Sequence, residues 1–416
     1  MTTYTLDHPQ KGQIKYRDGK RYLWLLSLFM PTAPLLGIFL YFQSGSQWLL
    51  GIPLAILYLV LPFMDWALGS DTNNPPEEIV PQLDEDRYYR LLTMLTVPLH
   101  FLVLIAVAWF VGTQDLSAWS VLLMALTAGA FSGLGVNTAH ELGHKKPAIE
   151  RTFAKFAQAV PAYGHFCIEH NRGHHCDVAT TEDPASSRMG ESIYKFVLRE
   201  IPGAFRRGWA AETERLQRLG KSPWCLQNDI LQSYAISAVL QGSLIVAFGW
   251  IMIPFLAIHN FWAWYQLTSA NYIEHYGLLR EKQSNGRYER TQPHHSWNAN
   301  YIFSNIALFH LERHSDHHAN PTRRYQSLRN FDDIPELPNG YFGMYLAAYI
   351  PWLWYRVMDE RLLALPHIQG DLSRVNIDPA KRDAIYARYG RGQDTPRAGY
   401  ANARHGCTAL SHHYSR

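Results

Sequence analysis

Apolar stretches long enough to cross a lipid bilayer constrain this 416-residue chain more than any other feature. A transmembrane helix needs about 20 consecutive, mainly apolar residues. The run at 233–273 contains no Lys, Arg, Asp or Glu and is long enough for two helices, with a break expected near 249–254. The sequence therefore predicts an all-α bundle of six transmembrane helices. They are expected at about residues 22–42, 48–68, 91–112, 118–139, 233–250 and 252–273.

The composition agrees with a chain that is partly embedded in lipid. Only 18% of the residues are charged, whereas an ordinary globular chain carries roughly 25%. The mean hydropathy of -0.19 is nevertheless slightly negative, so a sizeable polar portion must accompany the apolar helices. The formal net charge of +3 is too small to indicate a nucleic-acid-binding protein.

The positions of the basic residues orient the predicted bundle. Lys and Arg precede the first helix and follow the fourth and sixth, whereas the connectors at 43–47, 113–117 and 249–254 contain neither. By the positive-inside rule, both termini lie in the cytoplasm. The polar segments at 141–231 and 274–416 are then expected to form a cytoplasmic helical cap.

We expect a single integral-membrane domain at 1–389. Residues 390–416 are rich in Gly, Ala, Arg and Ser and are expected to form a flexible tail or linker. The four cysteines include no CxxC pair. The chain is therefore not expected to contain a zinc ribbon or a rubredoxin-type iron site.

Three histidine-rich motifs hold eight of the twenty histidines. They read HELGH at 140–144, EHNRGHH at 169–175 and HSDHH at 314–318. Residues three or four positions apart share one face of a helix, so each motif presents its histidines to one side. In HxxHH the last two rings point about 100° apart, so they could serve two neighbouring metal ions. Because the motifs follow the fourth and sixth predicted helices, all of them can meet at the cytoplasmic face.

The histidine motifs indicate metal binding, since imidazole is a ligand for Fe, Zn, Cu and Ni. His275, directly after the sixth predicted helix, is a ninth candidate ligand, and nine ligands are too many for one ion but enough for two. HELGH alone could be the zinc-protease motif, with its Glu as general base, but the other two motifs would then be unexplained. Nearby carboxylates could accept the second ring N–H of a ligand and fix its tautomer. The candidates are Glu141, Glu169, Asp177, Asp183, Glu274 and Asp316.

The remaining histidines carry a weaker signal. His294 and His295 stay open between a structural role and a supporting role beside the metal site. Structural roles are expected for His100, His165, His259, His310 and His367.

The placement of the motifs favours oxygen chemistry on an apolar substrate. A structural zinc site closes with four ligands, whereas this chain offers about twice that number and no cysteine ligand. A metal transporter would place its ligands near the bilayer midplane, but these lie at one end of the helices. A substrate that enters from lipid carries unactivated C–H bonds, whose attack needs the strong oxidants that metal cofactors generate.

The motifs resemble those of the integral-membrane desaturase and hydroxylase superfamily. The longer strings HNRGHHCDVATTEDPASS at 170–187, NYIEHYGL at 271–278 and LERHSDHHANPTRRYQSLR at 311–329 are similar to the bacterial alkane 1-monooxygenase family. They are less similar to the xylene monooxygenase hydroxylase subunit. The similarity runs from about the first predicted helix to about residue 389.

This resemblance implies a non-haem site with two irons and a multi-pass protein of the bacterial inner (plasma) membrane. The reaction would be O2-dependent hydroxylation of medium- or long-chain n-alkanes to 1-alkanols, with electrons passing from NADH or NADPH through rubredoxin reductase and rubredoxin. Since the chain lacks paired CxxC motifs, rubredoxin would be a separate protein or a domain outside this sequence. The nearest alternatives are a fatty-acyl desaturase and a xylene-type methyl hydroxylase. The implied ligands are His140, His144, His170, His174, His175, His275, His314, His317 and His318.

Two further sets of residues are candidates for the substrate and the electron carrier. A narrow apolar channel between the helices would select the chain end. Its expected lining residues are Trp48, Leu50, Trp262 and Trp264. Basic residues that could dock an acidic rubredoxin, although ordinary surface and headgroup contact is slightly favoured, are Arg206, Arg207, Arg323 and Arg324. The sequence does not indicate the oligomeric state.

Overall fold

Helices account for most of residues 2–390, the part of the chain that the computed structural model describes. In chain order the helices are α1 (Leu25–Ser44), α2 (Gln47–Leu68), α3 (Val80–Glu85), α4 (Arg87–Thr113), α5 (Ala118–Gly143), α6 (Ala148–Ala159), α7 (166–177), α8 (Ile193–Arg218), α9 (Asp229–Phe248), α10 (Met252–His275), α11 (Ile302–Ala307), α12 (His314–Ala319), α13 (Tyr341–Ala348), α14 (Pro351–Leu363) and α15 (Arg382–Tyr389). Apart from Gly390, the predicted tail at 390–416 lies outside the described residues.

A two-stranded hairpin precedes the bundle and was not predicted from the sequence. Strands β1 (Thr2–His8) and β2 (Gly12–Asp18) pair antiparallel, with Tyr4 opposite Tyr16. The Tyr4 hydroxyl donates to the carboxylate of Asp86 (2.6 Å), which ties the hairpin to the start of α4. These strands are too short and too polar to stand out as apolar stretches.

Five helices of the described part are long and apolar enough to cross a membrane, and all five lie where the sequence predicts them. They are α1, α2, α4, α5 and α9. Helices α1 and α2 include 3-10 turns, and α2 also a π-type turn, near their prolines. Proline removes an N–H donor from the helix interior, and membrane helices tolerate this when local adjustments satisfy the freed carbonyl.

The sixth predicted span forms α10, a continuous helix of 24 residues, but its sequence is too polar to be counted with the other five. It carries His259, Gln266, Asn271 and Glu274, all of them buried. The break before it begins at Gly249, which has a φ of 80°, within the segment where the sequence predicts a turn. A sixth crossing therefore remains a prediction.

Helices α5 and α10 pack against each other at glycines. A Cβ atom at Gly129 would lie 2.6 Å from the carbonyl oxygen of His259 and 3.0 Å from Cβ of Trp262. A Cβ atom at Gly133 would lie 2.7 Å from Cβ of Gln266. Small residues allow helix backbones to approach closely in membrane proteins. The glycine contact therefore fixes the separation of the two helices, each of which carries a candidate ligand in its last turn.

The apolar stretch at 341–357 forms α13 and α14. Tyr341, Tyr345 and Trp354 are buried in the same hydrophobic core as residues of α5, α8 and α10. The stretch therefore forms a packed pair of helices. The core lies towards the C-terminal ends of α5 and α10 and holds them beside the polar part of the chain.

We expect Gly129→Ala to lower the thermal unfolding midpoint in detergent, because the added methyl group overlaps the α10 backbone. Overpacking of this kind typically costs about 1–3 kcal/mol. Gly242→Ala on α9 is the matched control, since a Cβ atom there meets nothing within 4 Å and alanine is the better helix former. Equal unfolding midpoints for the two variants would contradict the proposed close packing of α5 on α10.

Candidate metal centre

Histidines from four segments of the chain converge at the C-terminal ends of α5 and α10. They form two groups, and within each group one ring nitrogen from every residue lies within 4.8 Å of the others. The first group contains His140, His144, His170, His175 and His317, and the second contains His174, His275, His314 and His318. The two groups include all nine histidines that the motifs nominated as candidate ligands.

Neighbouring histidines in the second and third motifs belong to different groups. His174 lies in the second group and His175 in the first, while His317 lies in the first and His318 in the second. The rings of His175 and His318 are 4.4 Å apart between centroids. The two groups therefore adjoin, and each motif contributes to both, as expected for two adjacent ions that share a pair of motifs.

A wide helical turn positions the second motif. The chain changes from α-helix at Phe166–Glu169 to a π-type turn at His170–His174 before a last turn at His175–Asp177. Such turns are rare and occur frequently at functional sites. The wider turn brings residues five positions apart together, and the Nε2 atoms of His170 and His175 are 3.0 Å apart. A regular α-helix, which the sequence spacing implied, would not make this contact.

The ring nitrogens of the first group cannot satisfy one another by hydrogen bonding. Nε2 of His317 lies 2.9 Å from that of His140 and 3.0 Å from that of His175, which in turn contacts His170. A neutral ring nitrogen offers either one N–H or one lone pair, so it cannot bond linearly to two neighbours. Among the described residues, Nε2 of His144 has no hydrogen-bond partner. A cation could accept all of these lone pairs at once.

Burial keeps these imidazoles neutral. It lowers the pKa of His170, His175 and His318 well below the ordinary value of 6.5, and neighbouring histidines lower it further. Metal ligation requires the neutral ring. These three rings therefore present lone pairs rather than positive charges at physiological pH.

Asp183 is the carboxylate that contacts the outer nitrogen of a candidate ligand. Its Oδ2 atom lies 2.9 Å from Nδ1 of His174, while Nε2 of His174 has no partner among the described residues. The carboxylate is held in turn by the Ser186 hydroxyl (2.7 Å) and the Arg207 guanidinium (3.1 Å). This arrangement places the ring proton on Nδ1 and leaves the Nε2 lone pair for a metal.

Glu274 contacts the same cluster from a different direction. Its Oε2 atom lies 3.4 Å from Nε2 of His314, the nitrogen that also faces His275 (3.3 Å) and His318 (2.9 Å). Glu274 therefore approaches the inner side of the second group, whereas the sequence suggested contact with an outer ring N–H.

The other candidate carboxylates make contacts with cations and backbone. Glu141 pairs with Lys145 (3.0 Å). Asp316 accepts from Arg323 (3.0 Å) and from the backbone N–H of Arg329. These bonds brace the loop that follows the third motif. Two carboxylates beside the second motif also pair with a cation, the Arg207 guanidinium. They are Glu169 (3.6 Å) and Asp177 (2.8 Å).

Most of the arginines nominated for docking a protein partner are engaged inside the chain. Arg207 pairs with Asp183, and Arg324 binds Glu150 (2.7 Å). Arg206 is exposed and has no ion pair with a described residue within 4.0 Å. The contacts therefore favour an internal structural role for three of these four side chains: Arg207, Arg323 and Arg324.

Glu289, His294 and His295 form a third group with nearby ligand atoms. Nδ1 of His295 accepts the backbone N–H of Gln292 (2.9 Å), so the neutral ring carries its proton on Nε2, 3.3 Å from Oε1 of Glu289. That tautomer leaves no lone pair on Nε2 for a metal. We therefore assign this group a structural role in the loop after α10.

The histidines with predicted structural roles lie outside the two metal-compatible groups, namely His100, His165, His259, His310 and His367. Nε2 of His259 contacts the Ser132 hydroxyl (2.8 Å), and Nδ1 of His310 lies 2.8 Å from the Tyr325 carbonyl oxygen. These buried rings are thus used to join neighbouring segments.

A small cavity of ≈ 20 Å³ lies between α5, α10 and α13, next to the histidines. It is lined by Ala130, Gly133, Leu134, Asn137, Gln266, Leu267, Ala270, Leu308, Leu311, Phe342 and Tyr345. Asn137 and Leu311 each lie three residues before a candidate ligand. Sequence reasoning missed these residues, although their position one turn before a histidine motif was a usable signal.

The four residues predicted to line a substrate channel lie elsewhere. Trp48 is 76% exposed, and Leu50 is buried in a separate core with residues of α4 and α5. Trp262 stacks on Tyr265, and the Trp264 indole donates to a carbonyl oxygen on another segment. Bulky aromatic side chains serve here as packing and membrane-facing groups.

Comparison with known proteins agrees with this geometry. The family model described as fatty acid desaturase matches residues 117–353, which include all three histidine motifs. Alkane 1-monooxygenase of Pseudomonas putida is 55% identical over 368 residues, covering 88% of this chain and 91% of that protein. Alkane 1-monooxygenase 1 of Alcanivorax borkumensis is 52% identical over 383 residues, covering 92% and 94%.

A comparison with a more distant relative distinguishes between the two kinds of hydroxylase. The xylene/toluene monooxygenase hydroxylase component of Pseudomonas putida is 28% identical over 255 residues, covering 60% of this chain and 64% of that protein. The alkane 1-monooxygenases match at much higher identity and over nearly the full length. Together with the two histidine groups, these matches show that the chain belongs to the alkane 1-monooxygenase family, within the fatty acid desaturase family.

Proposed function

We propose that this chain hydroxylates the terminal carbon of medium- or long-chain n-alkanes to 1-alkanols, with O2 as co-substrate, at a non-haem di-iron centre. The observation that carries the proposal is the pair of adjoining all-histidine groups at the end of an apolar bundle. The identity of 55% to an alkane 1-monooxygenase supports the same reaction. The site would face the cytoplasm from the bacterial inner membrane, in keeping with the positive-inside rule.

The residues present fit two iron ions. In this proposal, one ion is held by the five histidines of the first group and the other by the four of the second. Imidazole suits iron, and the absence of a cysteine from both groups argues against a structural zinc site. When bound, the irons supply the oxidising chemistry that attack on an unactivated C–H bond requires.

The protein's own side chains would hold the protons and exclude water. Asp183 keeps the proton of His174 on Nδ1, away from the metal side of the ring. Glu274 is 2% exposed and borders the second group, so a proton on its carboxyl group would be shielded from bulk water. Burial of both groups of histidines keeps water from competing with an apolar substrate.

The substrate would reach the irons through the cavity between α5, α10 and α13. Its volume of ≈ 20 Å³ has room for about one water molecule, which needs roughly 10–15 Å³ on the same measure. An alkane can therefore enter only when lining side chains move. The small residues Ala130, Gly133 and Ala270 line part of the cavity. Their short side chains leave a narrow space that favours the end of a linear chain. Discrimination per methylene is only about 1–3 kcal/mol, so we expect a broad range of chain lengths.

Electrons would come from a reduced rubredoxin, itself reduced by NAD(P)H through a rubredoxin reductase. In the described part of the chain the cysteines are Cys167, Cys176 and Cys225, all free. No rubredoxin-type iron site is formed by these residues. The carrier must therefore be supplied in any test of activity.

The proposal is tested by supplying purified, iron-loaded protein in detergent with octane, O2, NADH, a rubredoxin and its reductase. We expect 1-octanol, and none when rubredoxin is left out. An alkene formed from a fatty-acyl substrate would make the chain a desaturase. Oxidation of xylene methyl groups in preference to every alkane would make it a methyl hydroxylase.

We expect His317→Ala to abolish alkane hydroxylation and to lower the iron content. Nε2 of His317 lies between those of His140 and His175, so its loss opens the first group at its centre. His294→Ala is the control, because His294 lies outside both groups. Iron per chain is measured by plasma emission spectrometry. A zinc protease that uses HELGH would retain its metal in both variants, and that result would contradict the di-iron assignment.

We expect Asp183→Asn to weaken iron binding by roughly 10- to 100-fold, the usual cost of losing a carboxylate that supports a metal-bound histidine. The amide cannot stabilise the His174 tautomer as a carboxylate does. Asp177→Asn is the matched control, since Asp177 also pairs with Arg207 but contacts no candidate ligand. Iron affinity is measured by competition with a chelator. Equal iron affinities for the two variants would contradict the proposed role of Asp183 in supporting His174.

A further inference from the structure

Helix α8 has apolar side chains on two faces. One face is buried against the bundle, with Phe196 and Ala204 among its contacts. A second stripe runs along the outside of the helix at spacings of three or four residues. It consists of Tyr194, Leu198, Ile201, Phe205 and Trp209. Leu198 is 77% exposed and Tyr194 52%, which is unusual for a helix in water, where the outer face carries polar residues.

The contacts of α8 place it below the cytoplasmic end of α10. Glu200 accepts hydrogen bonds from Thr268 (2.8 Å) and Asn271 (3.2 Å). Thr268 lies seven residues before His275, which corresponds to about 10 Å along a helix that rises about 1.5 Å per residue. If α10 crosses the bilayer and ends at the cytoplasmic face, the middle of α8 lies at the depth of the cytoplasmic leaflet.

Helix α8 begins near the last turn of α10, where the Tyr272 hydroxyl donates to the carbonyl oxygen of Glu191 (2.7 Å), and the Tyr194 side chain extends further along α10. The Tyr194 hydroxyl donates to the carbonyl oxygen of Tyr349 (2.7 Å), and the Tyr349 ring packs on Tyr265 (5.3 Å). Tyr265 lies ten residues before His275, or about 15 Å along the axis. Side chains at this depth outside the bundle meet hydrocarbon rather than water.

The cations along α8 lie beside the stripe rather than on it, including the exposed Arg206, which points about 100° away from Phe205 around the helix. Lys195 pairs with Asp378 (2.8 Å) and Arg199 with Glu191 (2.8 Å), so both cations face the polar part of the chain. Arg218, at the far end of the helix, is 70% exposed. Basic residues at the end of an apolar stripe suit a helix whose end reaches the headgroups.

The stripe is continuous with a surface that faces lipid. Phe205 contacts Tyr234 of α9 (6.5 Å), one of the five apolar helices. Trp209 packs on Trp224 (5.1 Å) in the loop directly before α9. Trp224 is itself 75% exposed, and tryptophan is enriched at the membrane interface.

From these contacts we infer that α8 lies within the cytoplasmic leaflet of the bilayer, with the stripe from Tyr194 to Trp209 in contact with lipid acyl chains. The helix is then an additional membrane element that does not cross the bilayer. It anchors the segment between the second and third histidine motifs at the depth of the apolar cavity. The inference rests on α10 crossing the bilayer and is independent of the reaction proposed above.

Collision measurements on spin labels test this placement. A nitroxide is attached at Leu198→Cys in iron-loaded protein that lacks its native cysteines, reconstituted in nanodiscs of phosphatidylcholine and phosphatidylglycerol. Glu214→Cys on the same helix is the control, because its side chain is 68% exposed and lies beyond the stripe. Collision rates are measured with O2, which concentrates in lipid, and with chromium oxalate, which stays in water.

We expect the label at Leu198 to collide several-fold more with O2 than with chromium oxalate, and the label at Glu214 to show the reverse. Collision of the Leu198 label with chromium oxalate at the rate of the control would overturn the inference, since the stripe would then face water. Protection of the Leu198 label from both reagents would also overturn it, because protein rather than lipid would cover the stripe.

Discussion

The close contacts among three imidazoles, those of His140, His175 and His317, set the main constraint on this structure. Nε2 of His317 lies within 3.0 Å of the Nε2 atoms of both His140 and His175, although a neutral ring nitrogen can make one such bond at a time. Unsatisfied buried polar atoms are costly, and protonation would add mutual repulsion. A metal ion removes both problems, because every lone pair then has a partner. The segments that carry these rings must consequently be held in place by the rest of the fold.

The fold supplies that support by close packing and by ion pairs. Gly129 and Gly133 let α5 and α10 approach within backbone contact, so their last turns are fixed relative to each other. Arg207 binds Asp183 behind the second motif, and Arg323 binds Asp316 behind the third. A change in the distance between α5 and α10 would move the ligands on these two helices out of reach of the other ligands in their groups. The outer contacts therefore matter for metal binding as well as for stability.

Sequence patterns predicted the bundle and the nine converging histidines because both depend on regular spacing. Five apolar stretches form the five apolar helices. The division of the motifs between two groups follows from the 100° step between neighbouring residues on a helix. Spacing did not reveal the π-type turn at His170–His174, which depends on local hydrogen bonding. It also did not find the N-terminal hairpin, whose strands are short and polar, or the cavity, which depends on contacts between distant segments such as Asn137 and Leu308.

The side-chain type of a residue did not by itself predict its position around the site. None of the four residues predicted for a substrate channel lines the cavity, whose lining combines small residues such as Ala130 and Ala270 with the aromatic residues Phe342 and Tyr345. Carboxylates near the motifs were equally plausible in the sequence, yet Asp183 alone contacts an outer ring nitrogen, and Glu274 approaches an inner one. Only the packing of the helices separates these roles.

The central claim is that the two histidine groups hold two irons, and a metal count combined with Mössbauer spectroscopy tests it most directly. Protein purified from cells grown with enriched iron is expected to contain two irons per chain, both in nitrogen-rich surroundings without sulfur. Loss of His275, which belongs to the second group alone, is expected to reduce the signal of one iron more than the other. A single iron per chain, or zinc at full occupancy in active protein, would contradict the account.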